Sequence, residues 1–148
     1  MASSWRANVS LITVDAMIAA VLLQFYRAGI GTLGGGSFEA HKAFGYTLLL
    51  FGIIAMLILW VTKPPRPVRW IVFGAFMLML IQPGLVYERR NAPATAALHP
   101  VNAGVILLLF FSADRHLRAA RARSREAATP HEDLALSEPS LTPGETSR

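Results

Sequence analysis

The sequence predicts an all-α fold: a four-helix transmembrane bundle made of two tandem helix hairpins, followed by a basic, partly disordered C-terminal tail. Three observations carry this. Of 148 residues, 53% are hydrophobic and the mean hydropathy is +0.43. A polar stretch follows Asp114, so the apolar residues concentrate in the first 113 positions. They fall in four stretches near the roughly 20 residues that a helix needs to cross a 30 Å hydrocarbon core. The stretches also repeat. Gln24 is followed 17 positions on by His41, and Gln82 by His99, with an ungapped offset of 58 residues. Leu22 then matches Leu80, Leu49-Leu50 match Leu107-Leu108, and a small residue follows each histidine by four positions, Gly45 and Ala103.

Residues 1–8 read as an N-terminal cytoplasmic segment. Arg6 and the apolar run behind it look like a secretion signal, but no convincing small-x-small cleavage site follows, so span one, about 9–30, is expected to be a retained helix. The glycine-rich 31–36 segment is a flexible connection. Span two covers about 38–62, with Ser37 as its N-cap and Glu39 in a first turn where negative charge suits the helix dipole. Trp60 sits where an interfacial aromatic belongs. Residues 63–69, with three prolines in four positions, read as a stiff charged turn. Span three covers about 70–87. Pro83 lies inside it and should kink its outer turn, freeing a carbonyl near Met79. Span four covers about 93–113, and Pro100 leaves its start at either Pro93 or Leu98. Residues 114–125 continue it as a basic amphipathic extension that lies on anionic headgroups. Residues 126–148 are too polar to pack and are expected to be disordered. His116 and His131, in these last two segments, receive no role.

A net charge of +5 and a pI near 10.4 suggest nucleic acid at first sight. In a membrane protein, excess arginine is chiefly a topology signal. Nine cations (Arg6, Lys63, Arg66, Arg69, Arg115, Arg118, Arg121, Arg123 and Arg125) face four (Arg27, Lys42, Arg89 and Arg90). The nine-cation side is therefore expected to be cytoplasmic, with both termini there and the two histidines near the outer face. The partner this implies is the lipid bilayer, not nucleic acid. With no cysteine, disulfides, cysteine-ligated iron–sulfur clusters and covalent haem attachment are excluded. There is no Walker loop, H-E-x-x-H or nucleophile elbow, so an enzyme of those kinds is not expected.

Ionisable residues within spans default to a functional reading. A parallel repeat places equivalent residues at equal depth about one axis. If spans two and four are diagonal, His41 and His99 point at each other across the bundle, the geometry of two axial ligands on a haem b. Gly45 and Ala103, one turn below, would leave room for the macrocycle. Gln24 and Gln82 suit a propionate, a histidine's second nitrogen or a quinone carbonyl. Arg27 and Lys42 suit propionates. The plain alternative is that the histidines and glutamines bond neighbouring helices. Asp15 is expected to pair with an inner cation. One count opposes the symmetry. His41 lies 22 residues from Lys63 but His99 only 16 from Arg115, a difference of roughly 9 Å of helix. The ungapped repeat outweighs it.

The run Gln24 to Gly31 (Q-F-Y-R-A-G-I-G), H-x-x-x-G at His41 to Gly45 and L-H-P-V-N-A at Leu98 to Ala103 resemble a domain-of-unknown-function family of small bacterial four-span proteins, over about residues 10–113. That resemblance implies the fold and a bacterial plasma membrane, but no activity. The paired helix-start histidines are also similar to one half of haem A synthase. Its Glu-x-x-His-Arg compares with Glu39-Ala40-His41-Lys42, which is one residue short and has Lys for Arg. This resemblance implies haem binding at His41 and His99. It does not extend to haem oxidation, because the second four-helix half is missing.

The expectation is a b-type haem membrane protein that transfers electrons or handles haem, with a redox partner or respiratory complex beside it. Two alternatives stand: a cofactor-free accessory subunit, and a quinone site built from His and Gln.

Overall fold

Four apolar segments become four long helices. The computed structural model describes residues 2–127, and these are all-α, with no strand among them. The elements are α1 (Ala2–Thr32), α2 (Glu39–Thr62), α3 (Arg66–Tyr87), a 3-10 turn (Glu88–Arg90), the single-turn α4 (Pro93–Ala96) and α5 (Leu98–Glu126). Each of the four long helices is long and apolar enough to cross a membrane. At 24 and 22 residues, α2 and α3 are about 36 and 33 Å long, close to the hydrocarbon thickness. At 31 and 29 residues, α1 and α5 are longer.

The helices pack in a ring. α1 lies against α2 and α5, and α3 lies against the same two. α2 and α5 are therefore diagonal, the condition on which the facing histidines depended. Lipid tails are as apolar as leucine, so helices in a bilayer associate by close packing rather than by escape from water. The interior reflects this, with Gly52, Ala55, Ala75 and Ala113 all buried among larger side chains. An added Cβ on Gly52 would stand 2.9 Å from the Phe76 ring and 3.3 Å from Met79 Cε. Many large apolar side chains point outward, among them Ile12, Leu57, Trp60 and Leu108, as a lipid-facing surface requires.

The 58-residue repeat extends through the whole interior. On α1 and α3 the buried positions pair as Ser10 with Val68, Val14 with Val72, Met17 with Ala75 and Val21 with Met79. On α2 and α5 they pair as Leu48 with Ile106, Gly52 with Phe110, Ala55 with Ala113 and Leu59 with Leu117. The packing register is thus shared by both hairpins despite the unequal charge count, although the exposed Arg115 stands at the level of Leu57. The buried face of α5 does not end at Arg115; it continues to Leu117 while Arg115 and Arg118 occupy the exposed side.

Three expectations need correction. α3 begins at Arg66, not near Trp70, and Pro67 lies in its first turn. Proline is tolerated there because the first-turn amides have no helical partner in any case. Val68 and Arg69 already donate to the Pro65 carbonyl, and Val68 is fully buried. Ser37 does not cap α2; the N-cap position is Phe38, and no side chain caps it. Glu39 is in the first turn as expected. Third, α1 extends to Ala2, well ahead of residue 9. Both candidate starts of span four are used, by α4 and α5 in turn, and α5 continues unbroken through the basic 114–125 segment. Pro83 lies inside α3. The expected disordered tail, with His131, falls beyond Ala127 outside the described residues.

At the end away from the histidines, Ser10 Oγ donates to Thr62 Oγ1 at 2.8 Å, tying α1 to α2 inside the bundle. Asp15 does pair with an arginine. Arg118 reaches it at 3.1 Å while also binding Asp114 at 2.8 Å, so α1 and α5 share one guanidinium.

Packing at Gly52 gives a test. Gly52→Leu should lower the thermal midpoint in detergent, since overpacking costs about 1–3 kcal/mol. Gly104→Ala meets nothing within 4 Å and should hold or raise the midpoint, because alanine is about 1 kcal/mol better in a helix interior.

Candidate functional site

The site forms where the outer ends of α1 and α3 meet the first turns of α2 and α5. Gln24 and Gln82 lie near the ends of α1 and α3; His41 and His99 lie in the first turns of α2 and α5. All four are half-buried. The two imidazoles come together across the diagonal with ring centroids 6.1 Å apart and planes 72° apart. Phe38 stands edge-on to His41, also at 6.1 Å between centroids.

Each ring is held by the glutamine of its own hairpin. His41 Nδ1 lies 3.3 Å from the Gln24 carbonyl oxygen, and His99 Nδ1 lies 3.3 Å from the Gln82 carbonyl oxygen. A carbonyl only accepts, so this contact places the proton on Nδ1 and leaves Nε2 with its lone pair. At His41 the remaining contact agrees, because the Gln24 side-chain amide faces Nε2 as a donor at 3.4 Å. At His99 a second contact competes. The Gln82 amide nitrogen, oriented by the donors and acceptors around it, lies 2.9 Å from the same Nδ1. If Gln82 donates there, the His99 proton moves to Nε2.

The side-chain amides also bind backbone. Gln24 Nε2 donates to the His41 carbonyl at 2.9 Å. The Gln82 amide donates to the His99 carbonyl at 3.2 Å and accepts from the Ala103 amide at 3.1 Å, straddling one helical turn. Gln24 Oε1 has no equivalent partner and is buried without a hydrogen bond. Here Gly45 and Ala103 show a role different from the expected one. A Cβ on Gly45 would stand 3.0 Å from Gln24 Nε2, so the missing side chain admits the glutamine amide. Ala103 likewise lies against the Gln82 amide.

Arg27 and Lys42 are placed differently. Arg27 donates to the Ala40 carbonyl at 3.2 Å and stacks its guanidinium 4.9 Å from the Phe44 ring centre, joining the rim of the site. Lys42 is engaged by Glu39 at 2.6 Å, with both side chains more than half exposed. Sequence reasoning missed Asn102, whose Nδ2 donates to the Leu78 carbonyl at 2.9 Å. That carbonyl lies one residue before Met79, whose helical donor Pro83 cannot supply. The Asn102 tie has no copy in the first hairpin, where the equivalent position is Phe44, so the repeat gave no signal for it.

Among the described residues no group of three or more His, Cys, Asp or Glu side chains surrounds a point. Any metal here would rest on the two imidazoles and on ligands from elsewhere. An imidazole nitrogen sits about 2.0 Å from a bound transition metal and its ring centre roughly 1.1 Å behind that, so two trans imidazoles have centroids about 6.3 Å apart. The observed 6.1 Å is of that size, and is equally the spacing of an ordinary edge-on ring contact.

The two glutamines should differ on removal. Gln82→Leu is expected to cost about 1–2 kcal/mol in an SDS-unfolding titration, and Gln24→Leu less, because the latter also deletes an orphaned acceptor.

No curated protein and no solved structure matches the chain. A family model does match, over a shorter stretch than 10–113. Residues 24–89, which hold Gln24, His41, Gly45 and Gln82 but stop short of His99, match the model of a family of unknown function, DUF6220.

Proposed function

We propose that this chain is an integral membrane protein of a bacterial plasma membrane that binds haem b through His41 and His99 and passes electrons or handles haem. Its termini lie on the cytoplasmic side in this reading, as the nine-to-four division of cations favours. One observation carries the proposal: imidazoles from diagonal helices come within 6.1 Å of each other between ring centres, close enough for both to hold one ion. The donor chemistry supports it at His41. A metal-bound histidine characteristically gives its other N–H to a carbonyl, and the Gln24 carbonyl is in that position; at His99 the Gln82 carbonyl is placed alike, and ligation there requires the Gln82 amide to release Nδ1.

His41 and His99 would hold the iron by Nε2. Gln24 and Gln82 orient the rings through backbone carbonyls, and Gly45 and Ala103 keep the first turns of α2 and α5 slim. Arg27 supplies the cation nearest the site; Lys42, engaged by Glu39, serves a propionate only by leaving that pair. Haem would supply a one-electron couple, and held by both His41 and His99 it would leave no open position for substrate. Electron transfer or haem handling is therefore favoured over turnover, and a redox partner or respiratory complex would receive the electron. The paired histidines' similarity to half of haem A synthase belongs to the same proposal.

A second reading is favoured by the Gln24 amide filling the space beside Gly45. In it the four side chains form a cofactor-free polar tie. A macrocycle requires that amide to swing aside, giving up its 2.9 Å bond to His41 but also relieving the orphaned Oε1.

An absorption spectrum separates the two. Protein expressed with haem supply and purified in detergent is expected to show a Soret band. His41→Ala or His99→Ala should each abolish the low-spin form, and His116→Ala, exposed on α5, should leave it. Unaltered protein with no Soret band, whose histidine variants show only a lower melting point, would leave the tie.

A further inference from the structure

Away from the histidines, α1 and the second half of α5 flank a shallow, open cleft of about 290 Å³ lined by Leu11, Arg118, Arg121, Ala122 and Arg125. Its charges are unequal in status. Arg118 is committed to Asp15 and Asp114. Arg121 and Arg125 have no ion-pair partner among the described residues. They lie four positions apart, one turn of α5, so both guanidiniums serve the same face. Between them and α1 the lining is apolar or small, Leu11 and Ala122.

The repeat register fixes the depth of this cleft. Arg121 is the 58-residue equivalent of Lys63, the first residue past the end of α2, and Arg118 is the equivalent of the exposed Trp60. A tryptophan followed by a lysine at a helix end marks the headgroup level. Arg121 and Arg125, without an ion-pair partner among the described residues, thus lie at the level that Lys63 marks in the first hairpin, with Leu11 leading toward the hydrocarbon.

We infer that this cleft binds the phosphodiester headgroup of an anionic phospholipid, held by Arg121 and Arg125, in the leaflet on the side where α1 begins. The inference rests on the chain's spanning a membrane and is independent of haem. Guanidinium offers a planar fork of donors that matches phosphate oxygens, and basic pockets between membrane helices suit acidic lipid heads. Asp15 and Asp114 do not oppose an anion, because Arg118 already neutralises them in part, and Glu126, which follows Arg125, is itself engaged. The apolar wall at Leu11 favours a lipid over free phosphate, which would leave it unused.

The test is native mass spectrometry of the full-length protein in detergent, titrated with phosphatidylglycerol, phosphatidylcholine or inorganic phosphate. Phosphatidylglycerol is expected to be retained in preference to phosphatidylcholine. Each arginine near an anionic lipid contributes about fivefold in affinity, so Arg121→Gln/Arg125→Gln should weaken retention by tenfold or more. Arg66→Gln/Arg69→Gln, which changes net charge equally, should leave it unchanged, and Arg121→Lys/Arg125→Lys should retain part of it. Equal retention of the two lipids by the unaltered protein would overturn the inference, whatever the variants do. So would equal losses in the two glutamine pairs, or displacement of phosphatidylglycerol by inorganic phosphate. Failure of the haem reading appears in the visible spectrum and leaves these outcomes untouched.

Discussion

A single register governs this bundle. Both hairpins bury eight matched positions, 58 residues apart, and at five of the eight the residues differ. Gly52 stands where the second hairpin has Phe110, and Met17 where it has Ala75. Where water provides no drive toward association, packing decides which helices meet and at what height. Small and large side chains exchange places between the hairpins while depth is preserved. The histidines meet for the same reason. Neither α2 nor α5 packs directly on the other, yet equal depth and diagonal placement bring their first-turn side chains together.

The departures from symmetry are as informative as the symmetry. At the end away from the histidines, the first hairpin has Ser10 bonded to Thr62, and the second has Val68 and Ala120 at those positions. Near the histidines, Gln82 satisfies a carbonyl and an amide of one turn, while Gln24 satisfies the carbonyl and leaves its own oxygen orphaned. Asn102 braces α5 to α3 at the Leu78 carbonyl; Phe44, its counterpart, lies under Arg27 instead. The two imidazoles therefore occupy equivalent positions in unequal hydrogen-bonding surroundings. His41 has contacts that agree on one tautomer, and the contacts of His99 permit two.

Much of this was legible in the sequence, because lipid restricts the available structures. Only a helix satisfies every backbone group within one segment, so four apolar runs meant four helices. The matched Gln and His positions then gave the hairpin duplication. What could not be read lay in helix ends and in contacts across the bundle. Pro67 looked like part of a breaker but sits in a first turn, where a proline costs nothing. Ser37 looked like a cap by residue type, but the chain enters α2 one residue later. Gly45 read as space for a ligand, although a glycine leaves room for whichever side chain is nearest, and that side chain is Gln24. The shorter distance from His99 to the charges of α5 appeared to break the symmetry. It concerned only the outward face, and a count of charges cannot tell one face of a helix from another.

The balance between a ligand site and a plain polar tie turns on how completely the four side chains satisfy one another. Buried polar networks stabilise when every member is paired and lose to an apolar core when some are not. Most deeper positions of this bundle are apolar, so an apolar layer at the level of the histidines was open to the same fold. The layer present instead contains two imidazoles and two amides, of which the Gln82 amide is paired and the Gln24 amide is not fully so. His41 Nε2 faces its amide donor at 3.4 Å, beyond the range of a good hydrogen bond. Gln24 Oε1 has no donor. The Gln82 amide and the Gln82 carbonyl make opposite demands on one nitrogen of His99. A tie shaped only to hold helices together gains nothing from these mismatches. A ligand site built on both rings would need Nε2 unprotonated, a state that the contacts of His41 favour and those of His99 leave open.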